Sequence, residues 1–238
     1  MAAVILETTN LTRHFGGIHA VDGVDFTLPE GEIRALIGPN GAGKTTFVSL
    51  ISGRVAASAG RVVFLGADVT DQPAHRRIAR GLGYTFQITS IFGNLSAQEN
   101  VALAVQRRLR GRAAEIAAAS RDVLARIGLA DYADATARDL SYGHQRLLEI
   151  AMGLGQEPRL LILDEPTQGL AEAEIARFID LIREISETTT ILLIEHNMDV
   201  VMALADTITV MDQGRIIAEG PPEAIRANRK VQEAYLGG

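Results

Sequence analysis

The stretch that decides the fold lies near residue 40 and reads Gly38-Pro39-Asn40-Gly41-Ala42-Gly43-Lys44-Thr45. It matches every fixed position of a phosphate-binding P-loop, which is Gly, four variable residues and then Gly-Lys-Thr or Gly-Lys-Ser. A strand-like apolar run at residues 35–37 precedes it and a helical pattern follows from Thr45, as the loop requires. Glycines let backbone N–H groups close around phosphate oxygens, and the start of the helix adds a favourable dipole. A ligand-free glycine-rich turn is the alternative, and it would not require every fixed position to match.

A second motif supplies the acidic groups that such a loop needs. The apolar run at residues 160–163 is followed directly by Asp164 and Glu165. Open α/β sheets bind ligands at the carboxyl ends of their strands, so both acids would face the phosphates. Lys44 would neutralise the β- and γ-phosphates, Thr45 and Asp164 would hold Mg²⁺, and Glu165 would orient and polarise the attacking water. The alternative is a pair of acids that only caps the turn before a proline.

A third stretch, Leu140-Ser141-Tyr142-Gly143-His144, stands before a helical run. Its N–H groups and the Ser141 hydroxyl could form an anion site at the start of that helix. Most serines in such a position are only helix caps, and that alternative stays open on the pattern alone.

Composition places the chain among soluble globular proteins. Of its 238 residues 47% are hydrophobic, which is too apolar for disorder, and the formal net charge of −6 argues against a generally basic nucleic-acid binder. The absence of cysteine excludes disulfides, thiolate metal sites and thiol catalysis. The one basic cluster, residues 107–112, lacks interleaved aromatics, so it predicts a solvated helix face, or else a contact with an acidic partner or anionic lipid. No signal peptide and no membrane-spanning stretch are visible, which predicts a cytoplasmic protein.

Strand-like runs alternate with helical patterns and predict an α/β protein with a largely parallel sheet. The strand-like runs are residues 4–6, 24–28, 33–37, 61–65, 160–163 and 191–194. Residues 29–32 have the composition of a hairpin turn between the second and third runs. Helices are predicted over residues 172–186 and 223–235, and residues 96–152 read as an Ala-, Leu- and Arg-rich helical insertion.

Together the three motifs resemble those of ATP-binding cassette (ABC) ATPases, whose signature reads Leu-Ser-Gly-Gly-Gln. The motifs stand in the family's order, and the resemblance covers essentially the whole chain. It implies a P-loop NTPase (RecA-like) α/β fold with a mainly parallel sheet, an N-terminal antiparallel β part and a helical subdomain. The implied division of the single cassette is a nucleotide-binding core of residues 1–95 and 153–238 and a helical subdomain of residues 96–152. ATP and Mg²⁺ are the implied cofactors.

The resemblance also assigns residues that pattern alone would leave as ordinary. It implies that Gln87 is the Q-loop glutamine, which contacts Mg²⁺ and senses membrane subunits. It implies that His196 is the switch histidine at the γ-phosphate and that Phe15 stacks on adenine. Without the family these are a polar loop residue, a structural histidine and a core side chain. The implied catalytic residues are Glu165, His196 and Lys44, and the implied metal ligands are Thr45, Gln87 and Asp164. The implied nucleotide-binding residues are Phe15, Gly38, Pro39, Asn40, Gly41, Ala42, Gly43, Lys44, Thr45, Thr46, Gln87, Ser141 and Gly143.

The chain departs from the family pattern at three positions. Tyr142 and His144 stand where the signature usually has Gly and Gln, and Ala171 stands near the usual place of an Asp. A tyrosine at position 142 is similar to the signature of branched-chain amino acid importers. We expect His144 to point to solvent, although an imidazole near a partner subunit's γ-phosphate would add pH sensitivity.

Four further stretches are similar to the ATPases of branched-chain amino acid importers: residues 86–87, 166–170, 194–198 and 231–237. The resemblance implies an ATP-hydrolysing subunit on the inner face of the cell membrane, bound to separate permease subunits. The resemblance also implies that this subunit pairs head to tail with a second copy or with a paralogue, so that each signature closes over the other P-loop. One alternative is a soluble cassette ATPase acting on DNA or ribosomes, although such proteins usually carry two cassettes or a long coiled coil. The other is a nucleotide switch without turnover, against which Glu165 argues.

Overall fold

The computed structural model describes residues 3–85, 90–109 and 112–236. Those ranges contain ten strands and nine α-helices, with two short 3₁₀ turns between the fourth and fifth helices. In chain order they are β1 (Val4–Phe15), β2 (Ile18–Pro29), β3 (Ile33–Ile37), α1 (Lys44–Ile51), β4 (Ala59–Phe64), β5 (Ala67–Asp68), α2 (Ala74–Ala79), β6 (Leu82–Tyr84), α3 (Ala97–Leu109), α4 (Ala113–Arg126), α5 (Tyr142–Leu154), β7 (Leu160–Asp164), α6 (Glu172–Ser186), β8 (Thr190–Ile194), α7 (Met198–Leu204), β9 (Thr207–Asp212), β10 (Arg215–Gly220), α8 (Pro222–Arg226) and α9 (Arg229–Leu236).

The strands form two sheets. The larger has the order β10-β9-β3-β8-β7-β6, in which the five strands from β9 to β6 are parallel and β10 is antiparallel. The smaller has the order β2-β1-β4-β5 and is antiparallel throughout. This confirms the predicted α/β class with a mainly parallel sheet and an N-terminal antiparallel part. Because β3, β7 and β8 are parallel neighbours, their carboxyl ends and the loops that follow meet at one edge.

The central strands are buried on both faces, which is why they read as continuous apolar runs in the sequence. Every residue of β3, β7 and β8 is buried. One face of the large sheet, with Leu36 and Ile162, shares a core with α1 and the antiparallel sheet. The other face, with Leu161 and Leu193, packs against α3, α5 and α6. The P-loop and the acidic motif are therefore anchored on strands that cannot shift without opening a core.

Two local expectations are wrong. The turn at residues 29–32 is not a hairpin, because β2 and β3 lie in different sheets and the turn carries the chain between them. The single helix expected over residues 223–235 is two helices, α8 and α9. The break falls at Asn228, whose side-chain oxygen accepts a hydrogen bond from the Lys230 amide and so caps the second helix. The helix expected over residues 172–186 coincides with α6.

Residues 96–152 are helical, as predicted. They form α3, α4, α5 and the two 3₁₀ turns, with an isolated bridge between Ser96 and Thr136. The division into a core of residues 1–95 and 153–238 and a helical subdomain stays a prediction. Within the described ranges, no helix combines the length and apolar character needed to cross a bilayer.

Candidate active site

The P-loop connects β3 to α1 in a conformation that glycine makes possible. Gly41 and Gly43 have φ angles of 80° and 100°, in the left-handed region that side chains disfavour. A Cβ at Gly43 would also overlap the carbonyl oxygen of Ala20 on β2. The first turn of α1 contains no acidic residue, and no side chain of the described residues caps it. Its N–H groups are thus suited to receive an anion from outside the chain.

Lys44 folds back across the loop. Its ammonium donates hydrogen bonds to the carbonyl oxygens of Gly38 at 2.6 Å and Pro39 at 3.0 Å, and the residue is only 6% exposed. Burial lowers the pKa of Lys44, whereas the nearby Glu165 and Asp164 carboxylates act to raise it. The arrangement holds a cation at the mouth of the loop, where a polyphosphate would place its charge.

A cavity of about 570 Å³ lies over the P-loop. It brings together nine of the predicted residues, from the P-loop and from the ends of β7 and β8. They are Asn40, Gly41, Ala42, Gly43, Lys44, Thr45, Thr46, Glu165 and His196. The rest of its lining comes from Gln213 and from residues 17–20 at the start of β2. Its size and its concentration of N–H donors suit a nucleoside triphosphate.

The acidic motif sits where the sequence predicts it, at the end of β7. Asp164 is buried and its Oδ2 accepts a hydrogen bond of 2.8 Å from the Tyr84 hydroxyl. Burial raises the pKa of Asp164, and the Glu165 carboxylate adds to the rise, while the Tyr84 hydrogen bond opposes it. Glu165 has a φ of 48°, which turns its side chain out of the strand, and its Oε1 lies 2.8 Å from Nε2 of His196. The expected base and the expected switch histidine are thus in direct contact.

Two buried residues that the sequence reading missed hold this turn. Arg146 of α5 donates hydrogen bonds to the carbonyl oxygens of Asp164 at 2.7 Å and Glu165 at 2.8 Å, and to that of Pro166 at 3.2 Å. Its charge is balanced by Glu149, one helical turn later, at 2.6 Å. The available signal was an Arg and a Glu three residues apart on the apolar face of a helix. Such residues are rarely fully buried unless they are paired, so the spacing indicates a buried ion pair.

Glu195 is a third residue that the sequence reading missed. It is 3% exposed, and it joins the loops that carry Glu165 and His196. One carboxylate oxygen accepts hydrogen bonds from the amide and hydroxyl of Thr167. The other accepts from the amides of His196 at 2.9 Å and Asn197 at 3.1 Å. A single carboxylate therefore fixes the two loops relative to each other.

Phe15 ends β1 and is 45% exposed, two residues before Gly17 in the cavity wall. The Arg13 guanidinium lies 4.5 Å from its ring centroid and covers one face. Gln87 lies outside the described residues. The stacking role of Phe15 and the metal-binding role of Gln87 stay predictions.

The signature residues do not line this cavity. Ser141 caps α5 by accepting a hydrogen bond of 3.2 Å from the His144 amide. Gly143 is buried, and a Cβ there would overlap the Glu174 carboxylate of α6. Tyr142 is exposed, whereas His144 does not simply point to solvent as expected, because it is half-buried with its ring centroid 4.4 Å from that of Tyr132. The nucleotide-binding role of Ser141 and Gly143 stays a prediction.

The basic cluster is largely engaged within the chain. Arg107 donates a hydrogen bond to the His75 carbonyl, Arg108 pairs with Glu157 at 3.1 Å, and Arg112 pairs with Glu115 at 2.9 Å. These exposed pairs fit the predicted solvated helix face.

Comparison with known proteins agrees with this geometry. The family model described as "ABC transporter" matches residues 21–168. A second, "Branched-chain amino acid ATP-binding cassette transporter", matches residues 215–238. The chain is 37% identical to BraF of Pseudomonas aeruginosa and 38% identical to LivG of Escherichia coli, both called high-affinity branched-chain amino acid transport ATP-binding proteins. Each alignment covers 100% of this chain and 99% of the relative.

Solved structures show the same fold. A nucleotide-free ATP-binding cassette from an ABC transporter superimposes with a TM-score of 0.90 at 28% identity, covering 99% of this chain and 100% of that one. The ADP conformation of an ATP-binding cassette gives a TM-score of 0.89 at 29% identity, with 100% of both chains covered. The matched family model spans more than half of the chain, and the relatives match it over its whole length. The chain therefore belongs to the ABC transporter family of ATP-binding proteins.

Proposed function

We propose that this chain is the ATP-hydrolysing subunit of an importer of branched-chain amino acids. The observation that carries the hydrolytic part is the cavity in which Lys44, Glu165 and His196 converge on the uncapped start of α1. The substrate class is supported by the full-length similarity to BraF and LivG and by the match at residues 215–238.

Each residue has a distinct role in this proposal. Lys44 and the α1 amides would bind the β- and γ-phosphates, because a charge-assisted contact of this kind is strong where water is excluded. Glu165 would accept a proton from the attacking water, and His196, 2.8 Å away, would hold that carboxylate in place and contact the γ-phosphate. Phe15 would stack on the base.

The site also offers oxygen ligands suited to Mg²⁺, from the start of α1 and the end of β7. Thr45 is exposed at the start of α1, and Asp164 presents a carboxylate whose pKa is raised chiefly by burial. Hard cations prefer such oxygen ligands. Thr45 and Asp164, with Gln87, would hold the ion, which would neutralise charge on the phosphates.

The position of the signature supports a head-to-tail pair of cassettes. Ser141 caps the start of α5, so it lies at a helix N-terminus other than that of α1. It does not line the cavity over the P-loop. A partner cassette, either a second copy or a paralogue, would place its Ser141 and Gly143 over ATP. Because the two cassettes would then bind each other more tightly with ATP than without it, ATP binding and hydrolysis can drive closing and opening of the pair.

We further propose that permease subunits hold the chain at the inner face of the membrane. A groove of about 350 Å³ between the core and the helical region suits a permease segment, because its surface is mainly apolar. Leu103 and Arg107 of α3 and Tyr84 of β6 line it. The rival function on DNA or ribosomes has no support in the site or in the relatives described above.

Uptake measurements test the proposal. In a strain whose copy of this gene is deleted, uptake of labelled leucine, isoleucine and valine should fall, and the wild-type gene should restore it. The Glu165→Gln variant, expressed to the same level, should not restore it. Glutamine serves as the control substrate, since a glutamine transport ATP-binding protein of Geobacillus stearothermophilus is also 30% identical. Unchanged leucine uptake with lost glutamine uptake would overturn the substrate assignment.

A further inference from the structure

A cluster of metal-ligating side chains lies at the β1–β2 hairpin, and none of its three residues has a chemical role in the proposed function. His14 and His19 are directly opposite each other across the two strands, and their rings stack with centroids 3.9 Å apart. Nε2 of His14 lies 4.0 Å from Oδ1 of Asp22, and Nδ1 of His19 lies 3.9 Å from Oδ2 of the same residue. One potential ligand atom from each of the three lies within 4.8 Å of the others.

A second observation points to a ligand at this cluster. Nε2 of His14 is buried and has no hydrogen-bond partner in the described part of the chain, although such atoms are normally satisfied. Tetrahedral zinc with bonds of about 2.0–2.1 Å needs its ligand atoms about 3.3 Å apart. Rotation of the two stacked rings would have to bring three atoms now within 4.8 Å to that spacing and aim both nitrogens at the ion. We propose that His14, His19 and Asp22 bind a divalent transition ion, best suited to Zn²⁺, with water completing the coordination.

The neighbouring Arg215 leaves one of the two carboxylate oxygens of Asp22 available to the ion. Arg215 donates two hydrogen bonds to Oδ2 of Asp22, at 2.6 and 3.1 Å, so Oδ1 is the oxygen that faces His14. The Arg215 guanidinium orients the carboxylate through these hydrogen bonds, while its positive charge limits the affinity of the cluster for the ion. The Arg13 guanidinium donates a hydrogen bond to the Ala56 carbonyl and lies over the Phe15 ring.

An ion bound by this cluster would stabilise the wall of the nucleotide cavity. His19 lines that cavity, and Phe15 follows His14 directly. The amide of Asp22 donates to the Gly214 carbonyl, and the Gly214 amide donates to the Ala42 carbonyl of the P-loop. Joining both strands of the hairpin would therefore stiffen the base-binding side of the site. This consequence, unlike the metal site itself, rests on the proposed function.

The test titrates the full, untagged chain with Co²⁺ in the absence of nucleotide, because ATP chelates metals and a histidine tag would compete. We expect the visible absorption of low-symmetry Co²⁺, displaced by Zn²⁺ at one equivalent. His14→Ala and His19→Ala should each abolish it or weaken affinity more than about tenfold. His75→Ala, which removes an exposed histidine elsewhere, should retain it. His196→Ala should retain it too, which separates this cluster from the Glu165–His196 pair.

Hydrogen exchange gives a second readout that needs no nucleotide. Zn²⁺ should slow exchange of the amides in residues 14–22 of the wild-type chain and leave the His19→Ala variant unchanged. Absence of Co²⁺ binding by the wild-type chain would overturn the proposal. So would binding that survives both His14→Ala and His19→Ala, or that is lost in His196→Ala alone. Because neither measurement contains ATP, failure of the proposed function would leave the outcome unaffected.

Discussion

Replacing Arg146 with methionine should separate the support of the catalytic turn from the stability of the fold. Arg146 is 2% exposed and donates to three consecutive carbonyl oxygens, those of Asp164, Glu165 and Pro166. It also neutralises Glu149, which is 4% exposed. Glu165 has a left-handed backbone, a conformation that costs roughly 1–3 kcal/mol and persists only where the surroundings hold it.

The expected magnitude follows from that burial. Removing one partner of a buried ion pair typically costs about 3–5 kcal/mol, because a charge remains in a medium that solvates it poorly. Arg146→Met should therefore lower the free energy of unfolding by about that amount. The double variant Arg146→Met/Glu149→Met removes both charges and should regain more than half of the loss. Its ATP turnover should stay low, since the three carbonyls still lack the donor that holds Glu165.

Urea unfolding and steady-state phosphate release measure the two effects. The matched control is Arg126→Met, which breaks an exposed pair with Glu184 and should cost no more than about 1 kcal/mol with turnover unchanged. A loss under about 1 kcal/mol in the Arg146→Met variant would refute the stability argument. Wild-type turnover in the double variant would refute the assignment of Arg146 as a positioning residue for Glu165.

Three further predictions concern the same site. Lys44→Ala should weaken ATP binding by at least about tenfold in calorimetry with little change in fold, because it removes a charge-assisted contact; an unchanged affinity would count against the P-loop assignment. Glu195→Gln should lower the free energy of unfolding by roughly 2–4 kcal/mol in urea unfolding and reduce turnover, because an amide cannot accept all four hydrogen bonds. Wild-type stability and turnover in this variant would contradict the role of Glu195 in joining the two loops. The chain has no cysteine, so Asn40→Cys/Tyr142→Cys, at two exposed positions, should cross-link between cassettes with ATP and much less with ADP; equal cross-linking in both would exclude an ATP-driven pair.

The sequence was most informative for motifs in which the same residue types serve both the chemistry and the backbone conformation. The P-loop could be predicted because its glycines, Lys44 and Thr45 each meet a separate requirement of phosphate binding. Asp164 and Glu165 followed from a strand whose burial on both faces makes it a continuous apolar run. The helix α6 was predicted to the residue because one of its faces is apolar and the other polar.

Features that depend on distant partners could not be read in the same way. Arg146 and Glu195 are polar residues in apolar surroundings, and only the fold shows that they hold the turns carrying Glu165 and His196. The change of sheet after β2 is likewise set by tertiary packing, since the turn residues that make a hairpin also make a sheet-to-sheet connection. Pairing of His14 with His19 needed the strand register.

The central claim, that this cavity hydrolyses ATP with Glu165 as the base, is tested most directly by one comparison of binding and turnover. Glu165→Gln keeps the size of the side chain but removes its capacity to accept a proton. We expect ATP affinity within about threefold of wild type and phosphate release slower by about 10²–10⁴-fold. Glu172→Gln, an exposed glutamate at the start of α6, is the matched control and should leave both unchanged. Phosphate release at the wild-type rate by the Glu165→Gln variant, with ATP bound normally, would contradict the account.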